Sequence, residues 1–289
     1  MDTVEFPLVV GVDGSESSLE ALDWAVDSAA LHRTALRIVC ATPWGRSAPY
    51  GASFRTVRTG GRTHVENTAA TAMERALRRT GSVRVTSEVT AEQAATALCR
   101  RSGTAVAVVV GCRGRGAVAG RLLGSVSLSV ATHAQAPVAV VRGPEKNRAG
   151  TFHNVVLGID RPGRTAPVTL AFQEAQLRGS VLTVVHAWSC PAQKYAVQPR
   201  TTGEGHRHRA YGLLGEAIRD AAFAHPDVAL AREIAEGDPR RALVDASRSA
   251  DLVVVGARRT TGTPYPRLGP VAHALVHHAQ CPVVLVPHA

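Results

Sequence analysis

Val9-Val10-Gly11-Val12-Asp13, an apolar run closed by an acid, returns 147 residues later as Val155-Val156-Leu157-Gly158-Ile159-Asp160. Three further runs repeat in the same way. Ile38-Val39-Cys40-Ala41 returns as Val184-Val185-His186-Ala187, and Val108-Val109-Val110-Gly111 as Val253-Val254-Val255-Gly256. Ala136-Pro137-Val138-Ala139-Val140-Val141 returns as Cys281-Pro282-Val283-Val284-Leu285-Val286. The offsets, 147, 146, 145 and 145, stay nearly constant over half the chain, which is the mark of a tandem duplication. The 289 residues therefore divide into a first copy, 1–143, and a second, 151–289. The join, Arg142 to Gly150, is polar and carries Gly and Pro, as a linker does.

Within each copy strand and helix signals alternate. In the first, a strand over Leu8–Asp13 precedes an amphipathic segment, Ser17–Leu31, with apolar residues at helical spacing (Leu19, Leu22, Ala25, Val26, Ala29). Ser17-Ser18-Leu19-Glu20 reads as a capping box at its start. Strands over Ala35–Ala41, Val83–Val89, Ala105–Gly111 and Pro137–Val141 follow, with helices near Val65–Arg79, Gln93–Arg101 and Ser125–Ala134 between them. Strands that read as continuous Val/Ile runs, each followed by a helix, predict an α/β fold: an open parallel five-stranded sheet with helices on both faces, built twice. The connections should be right-handed.

Composition excludes several classes. No apolar run approaches the ~18 residues of a membrane helix, and Met1-Asp2-Thr3-Val4-Glu5 carries acids where a leader would be basic, so a cytosolic protein without membrane contact is expected. Five cysteines without a CxxC pair argue against a disulfide framework or zinc ribbon. The net charge of +10 invites a nucleic-acid reading, but 31 of the 33 basic residues are Arg and the excess is shared as +5 up to Asn147 and +5 beyond it, with no basic tail. The Arg load reads as coding bias, and no nucleic-acid partner is expected.

Open α/β sheets bind ligands beyond the carboxyl ends of their strands, where strand order reverses. Three such ends stand out in the first copy: Asp13, Ala41, and Gly111-Cys112-Arg113-Gly114-Arg115-Gly116, followed by Gly124-Ser125 at a helix start. Glycines let backbone approach a ligand, and a helix start offers free N–H groups and a positive dipole end. Together they describe an anion site with a hydroxyl at its edge. Arg113 and Arg115, assisted by Arg121, are positioned to neutralise phosphates; as surface charges they are equally at home solvated. Asp13 is suited to accept from an amine or hydroxyl of a ligand, or to cap the Ser15–Ser18 helix start. Neither a Rossmann G-x-G-x-x-G nor a P-loop is present.

Val10-Gly11-Val12-Asp13-Gly14-Ser15, the G-x2-G-x9-G-S spacing of Gly111, Gly114, Gly124 and Ser125, and His133-Ala134-Gln135-Ala136-Pro137-Val138 together resemble the universal stress protein family in its ATP-binding, tandem two-domain form. The resemblance implies an adenine nucleotide alpha hydrolase-like sheet of order 3-2-1-4-5. It implies adenine held near Val12, Asp13 and the backbone of Ala41, and ribose and phosphates along Gly111, Arg113, Gly114, Arg115, Gly124, Ser125 and Val126, with ATP accompanied by Mg2+. It further implies a stress-response regulator with protein partners. The last strands, Pro137–Val141 and Pro282–Val286, are expected to pair the copies as an internal pseudo-dimer, with room for a homodimer. Two other functions stay open: a slow ATPase or phosphoryl-transfer enzyme, for which the sequence names no general base, and a ligand-free interaction scaffold. No catalytic residue and no resident protein metal site are expected.

The copies depart from the pattern in different places. In the second, Gly114 becomes Arg259 and Ser125 becomes Pro270, placing a side chain in the phosphate path and removing an N–H with a hydroxyl. Asp160, Gly256 and Gly269 remain, and Arg258 with Arg259 would suit a smaller anion. In the first, Ala91-Glu92-Gln93-Ala94 stands where the second has Glu236-Gly237-Asp238-Pro239, nearer the family's helix start. Two long polar stretches, Thr42–Arg62 and Ser189–Arg209, read as loops, the first as a lid over the nucleotide. His206-Arg207-His208 and His273, His277 and His278 offer too few ligands for a metal site. Cys112 reads as a small residue facing a helix rather than a redox sensor.

Overall fold

The computed structural model describes residues 6–42, 54–114, 123–160, 163, 165–188, 203–258 and 268–288. The chain divides into two compact units, the first on residues up to Arg142 and the second on Gly143–Arg258 and Gly269–His288. The first unit runs β1 (Leu8–Gly11), α1 (Glu16–Leu31), β2 (Leu36–Ala41), α2 (Phe54–Arg79), β3 (Val85–Thr90), α3 (Ala94–Ser102), β4 (Ala107–Gly111), α4 (Ser125–His133) and β5 (Val138–Val141). The second runs α5 (Glu145–Arg148), β6 (Asn154–Gly158), α6 (Thr165–Arg178), β7 (Val181–Trp188), α7 (Gly203–Ala224), β8 (Leu230–Glu236), α8 (Pro239–Ala246), β9 (Leu252–Arg258), α9 (Pro270–His278) and β10 (Val283–His288).

Each unit holds a parallel sheet. In the first the order is β3-β2-β1-β4-β5, with Leu8 opposite both Leu36 and Ala107 and Val108 opposite Val138. The second repeats it as β8-β7-β6-β9-β10, with Val155 opposite Leu182 and Leu252, and Val283 opposite Val253. The central strands carry the core. Val9, Val10, Ile38, Val108 and Val140 are fully buried, as are Val155, Val156, Leu182, Val253 and Val283. Burial of both strand faces explains why these strands read as unbroken apolar runs rather than alternating ones. The α/β architecture and its doubling match the expectation, and element boundaries fall within about two residues of it except at the long connections.

Those connections are a correction. Residues 54–62, read as loop, form the first turns of α2, and α7 begins at Gly203 inside the second expected loop. Gly60-Gly61 and the surrounding Thr and Val have poor helix propensity, and nothing periodic marks the segment. The helix is sustained by the residues beyond, where Val65, Ala69, Ala72 and Ala76 lie buried at spacings of three and four. The remainder of both expected loops, the proposed lid included, lies outside the described residues.

The polar join is built into the second unit. Gly143 takes φ +86°, and a Cβ there would fall on the Gln280 carbonyl. Asn147 of α5 is fully buried, and its Nδ2 donates to the Ala250 carbonyl at 2.8 Å and lies 3.3–3.4 Å from those of Arg248 and Ser247. One amide therefore serves the acceptors that end α8 and the turn after it. Replacing Asn147 by Ala strands buried carbonyls, so chemical denaturation should show a loss of about 1–3 kcal/mol; an unchanged midpoint would mean that water replaces the amide.

Candidate functional site

The first unit's site is assembled by serines. β1 ends at Gly11, Val12 donates its N–H to the Val39 carbonyl at 3.0 Å, and the chain turns at Asp13. Asp13 Oδ1 accepts from the Ser15 N–H at 3.0 Å and from the Ser15 hydroxyl at 2.6 Å. Ser15, held there, is the N-cap of α1 and accepts from the Ser18 N–H. The cap is thus Ser15 and not the Ser17 of the expected box. An Asx-type turn ahead of the helix moved the start upstream. Ser18 Oγ donates to the Ser15 carbonyl at 2.8 Å and accepts from the Asp13 N–H at 3.3 Å. One oxygen of Asp13 braces the cap residue Ser15, and the residue also lines a cavity.

Ser17 has a different task. Its hydroxyl accepts the Arg113 N–H at 3.2 Å and lies 3.5 Å from Cys112 Sγ. These contacts hold the loop after β4 against the start of α1. Gly111 is what permits the approach: a Cβ there would fall on the Ser17 carbonyl and 2.6 Å from Ser17 Oγ. Its missing side chain therefore first serves packing of helix on strand, although the residue also lines the cavity. Cys112 is buried against the same helix, as its neutral reading expects. Gly114 is constrained by a functional group instead, since a Cβ there would sit 2.7 Å from Asp13 Oδ2.

Across the gap, Gly124 donates to the Cys112 carbonyl at 2.8 Å and caps α4 without any side chain. The first-turn N–H groups of Ser125 and Val126 open towards the loop, as helix starts leave them. Ser127, one turn in, donates its hydroxyl to the Gly111 carbonyl at 2.6 Å and ties α4 to the end of β4.

The result is a cavity of about 220 Å³ at the carboxyl ends of β1, β2 and β4, where the strand order reverses. Nine of the ten expected residues line it: Val12, Asp13, Ala41, Gly111, Arg113, Gly114, Gly124, Ser125 and Val126. The tenth, Arg115, lies outside the described residues, as do Arg121 and Arg259. Sequence reasoning missed the apolar wall of Val39, Ala94, Leu98 and Leu123, and it missed Ser18 and Ser127. A signal was present: hydroxyls at 15, 17, 18 and 127 cluster at the starts of the helices that follow β1 and β4. Gln93 precedes α3 with no side-chain cap, whereas Asp238 caps α8 by accepting from the Arg240 N–H at 2.9 Å. The adjacent Arg240 guanidinium holds the Asp238 carboxyl below the usual carboxylate range.

Cys40 sits behind the site, almost fully buried. Burial, reinforced by the negative charge of Asp13, pushes its thiol up from 9.0 to about 11. Elsewhere, the tilted rings of His273 and His277 on α9 have centroids 4.4 Å apart, and among the described residues no three His, Cys, Asp or Glu side chains converge as a metal site. No helix among the described residues is long and apolar enough to cross a membrane.

The second unit places a cavity of about 290 Å³ at the equivalent strand ends. Pro167 and Val168 of α6 line it, Pro270 and Ala272 replace Ser125 and Ser127, and Pro239 replaces Ala94. Asp160, Gly256 and Gly269 are retained.

The family model described as the universal stress protein family matches residues 7–142 and again 151–287. A universal stress protein of Mycobacterium tuberculosis (strain ATCC 25618 / H37Rv) is 34% identical over 300 residues, covering 96% of this chain and 94% of its own. One from Mycolicibacterium smegmatis is 31% identical, covering 98% and 97%. Among solved structures, a universal stress protein from Archaeoglobus fulgidus DSM 4304 aligns over the whole of both chains with a TM-score of 0.72 at 14% identity, a likeness of fold.

Two consequences can be measured. Gly111→Ala should lower stability by about 1–3 kcal/mol through overpacking, whereas Gly124→Ala, whose Cβ meets nothing nearer than 3.7 Å, should be far milder; equal melting temperatures would contradict the packing role. A thiol that holds its proton more tightly folded than unfolded contributes stability below pH 9 that is lost as pH rises towards 11. The denaturation midpoint should fall across that window, and Cys40→Ala should reduce the fall.

Proposed function

The chain belongs to the universal stress protein family, and from that premise we propose that its first unit binds ATP as a regulatory signal in a stress response. The observation that carries this reading is convergence. A carboxylate at a strand end, a glycine loop and an uncapped helix start face one cavity at the switch point of the sheet. The apolar wall of Val39, Ala94 and Leu98 suits a planar base, with Val12, Asp13 and the Ala41 backbone at its edge. Gly114 keeps clear the space beside Asp13 that any side chain would take. The N–H groups of Ser125 and Val126 and the α4 dipole suit phosphate oxygens, and Arg113 lies at the exposed rim to neutralise them.

Mg2+ fits this donor set only in company with phosphate. Ser125 Oγ and the Asp13 carboxylate are the hard oxygen ligands lining the cavity, and Mg2+ is commonly held by one or two such groups plus phosphate oxygens. Bound there it would supply charge neutralisation. Asp13 is occupied in bracing Ser15, which favours holding the nucleotide over activating a water.

Nucleotide is held mainly by the first unit in this reading. The second has Pro270 and Ala272 where the first has Ser125 and Ser127, and Pro270 brings no N–H to the start of α9. A cytosolic regulator acting on protein partners is the role we assign to the whole chain.

The test is the nucleotide itself. Protein denatured after purification should release ATP in preference to ADP, at up to one per chain, and ATP with Mg2+ should raise the melting temperature. ADP accumulating with time would instead mean turnover, and neither bound nucleotide nor a thermal shift would leave a scaffold. Gly114→Ala should weaken ATP binding at least tenfold, about 1.4 kcal/mol. In that background Arg259→Gly with Pro270→Ser should restore a measurable ATP site in the second unit; if ATP already binds both units equally in the unaltered chain, the asymmetry is wrong.

A further inference from the structure

β8 ends the second unit's sheet on one side, since the order runs β8-β7-β6-β9-β10 and, among the described residues, no strand pairs with its outer side. Which of its groups face outward follows from one bond. Leu182 of β7 donates its N–H to the Ala229 carbonyl at 2.8 Å. Backbone direction alternates along a strand, so Ala231, Glu233 and Ala235 also turn their N–H and C=O groups to β7. Arg232, Ile234 and Glu236 turn theirs to the open edge.

An open edge offers unpaired backbone groups to any strand, and charges on it keep unsuited strands away. On β8 the charges are also placed to accept one partner, the same strand of a second copy. Two copies of a strand pair antiparallel about a twofold normal to the sheet, and such an axis leaves each side chain on its own face. The pleat then allows only registers centred on a residue. Centred on Glu233 the register sets that acid against itself, and centred on Arg232 it sets two guanidinium groups together. Centred on Ile234 it sets Arg232 of each copy opposite Glu236 of the other, with Ile234 against its own copy between them. No other register centred within β8 opposes unlike charges. All three pairs face outward and are of the hydrogen-bonded type, which gives about six backbone bonds. Arg232 and Glu236 are exposed, and among the described residues neither has an ion-pair partner. α7 packs over β7 and β8 and keeps Tyr211, Leu213 and Phe223 exposed; the twofold places both copies of α7 on one face of the joined sheet.

The outer strand of the first unit lacks this device. Leu36 donates its N–H to the Arg84 carbonyl at 2.9 Å, so Val85, Ser87 and Val89 of β3 face outward, none of them charged. Glu88, the one acid of β3, is held by Arg101.

We propose that β8 is the interface of a homodimer, paired antiparallel with β8 of a second copy about Ile234 and registered by two Arg232–Glu236 pairs. The surface is self-complementary, so it closes on two copies and does not propagate. It uses no nucleotide and stands apart from the reading of the first unit.

Charge reversal tests the register directly. Sedimentation equilibrium of the full chain across the micromolar range should show a dimer that weakens as salt is raised. Arg232→Glu leaves only acids at the paired positions and Glu236→Arg only bases, so each alone should weaken dimerisation about tenfold or more. Mixed in equal amounts, the two variants oppose unlike charges again and should associate nearly as tightly as the unaltered chain. Both changes on one chain should likewise restore the homodimer. Circular dichroism melts report that each variant is folded, and recovery on mixing excludes misfolding as the cause of the loss. A chain that stays monomeric throughout that range, a dimer indifferent to both reversals, as pairing through β3 would give, or failure of the mixed variants to associate would each overturn the proposal.

Discussion

The close approach of the α1 start to the end of β4 is the constraint on which the first unit's site depends. Gly111 has no Cβ to keep the Ser17 carbonyl away, so helix and strand meet at backbone distance. The Ser17 hydroxyl then takes the Arg113 N–H, and Ser127 fastens α4 to the Gly111 carbonyl from the other side. The end of β4 is thus held from two helices by polar contacts, and the cavity lies beside them. The Ser127 bond satisfies a buried carbonyl that would otherwise be stranded, which makes that contact specific as well as stabilising.

The same frame carries different chemistry in the two units. Sheet order, strand-end position and cavity location are alike, because the buried Val and Leu runs that set them are alike. What changes is a handful of side chains facing the cavity, among them Ser125 and Ser127, which become Pro270 and Ala272. Substitutions of this kind leave the core untouched, which is why duplication followed by divergence can separate ligand preference from fold.

The excess of arginine takes on a clearer meaning with the structure in view. Arg75 and Arg79 on α2 form two-pronged pairs with Asp23 and Asp27 on α1, each contact at 2.7 Å. The four residues match because both helices present one charge every turn on facing sides. These pairs are half exposed, so each contributes at most about 1 kcal/mol. Arg101 is different: buried, it pairs with Glu88 and donates to the Ala97 carbonyl, holding Glu88 below the usual carboxylate range. Three arginines of the first unit are thus committed to fastening helices to their neighbours.

The α/β class, the duplication, the strand positions and nine lining residues of the first cavity were legible from the sequence alone, because buried parallel strands announce themselves as Val runs and strand ends are where side chains leave the core. The helical start of α2 was not legible, since Gly60 and Gly61 oppose it locally and tertiary packing of the residues beyond overrides propensity. Nor was the division of labour among Ser15, Ser17 and Ser18, because neighbours in sequence point to different partners once the helix begins. His288 is the clearest case: in sequence it is one histidine among twelve, and only the extension of β10 beside β9 brings its ring over Gly256 and into the second cavity. Local pattern determined what each element would be; the approach of elements distant in sequence decided which side chains share a site, because such contacts depend on packing geometry that no local spacing encodes.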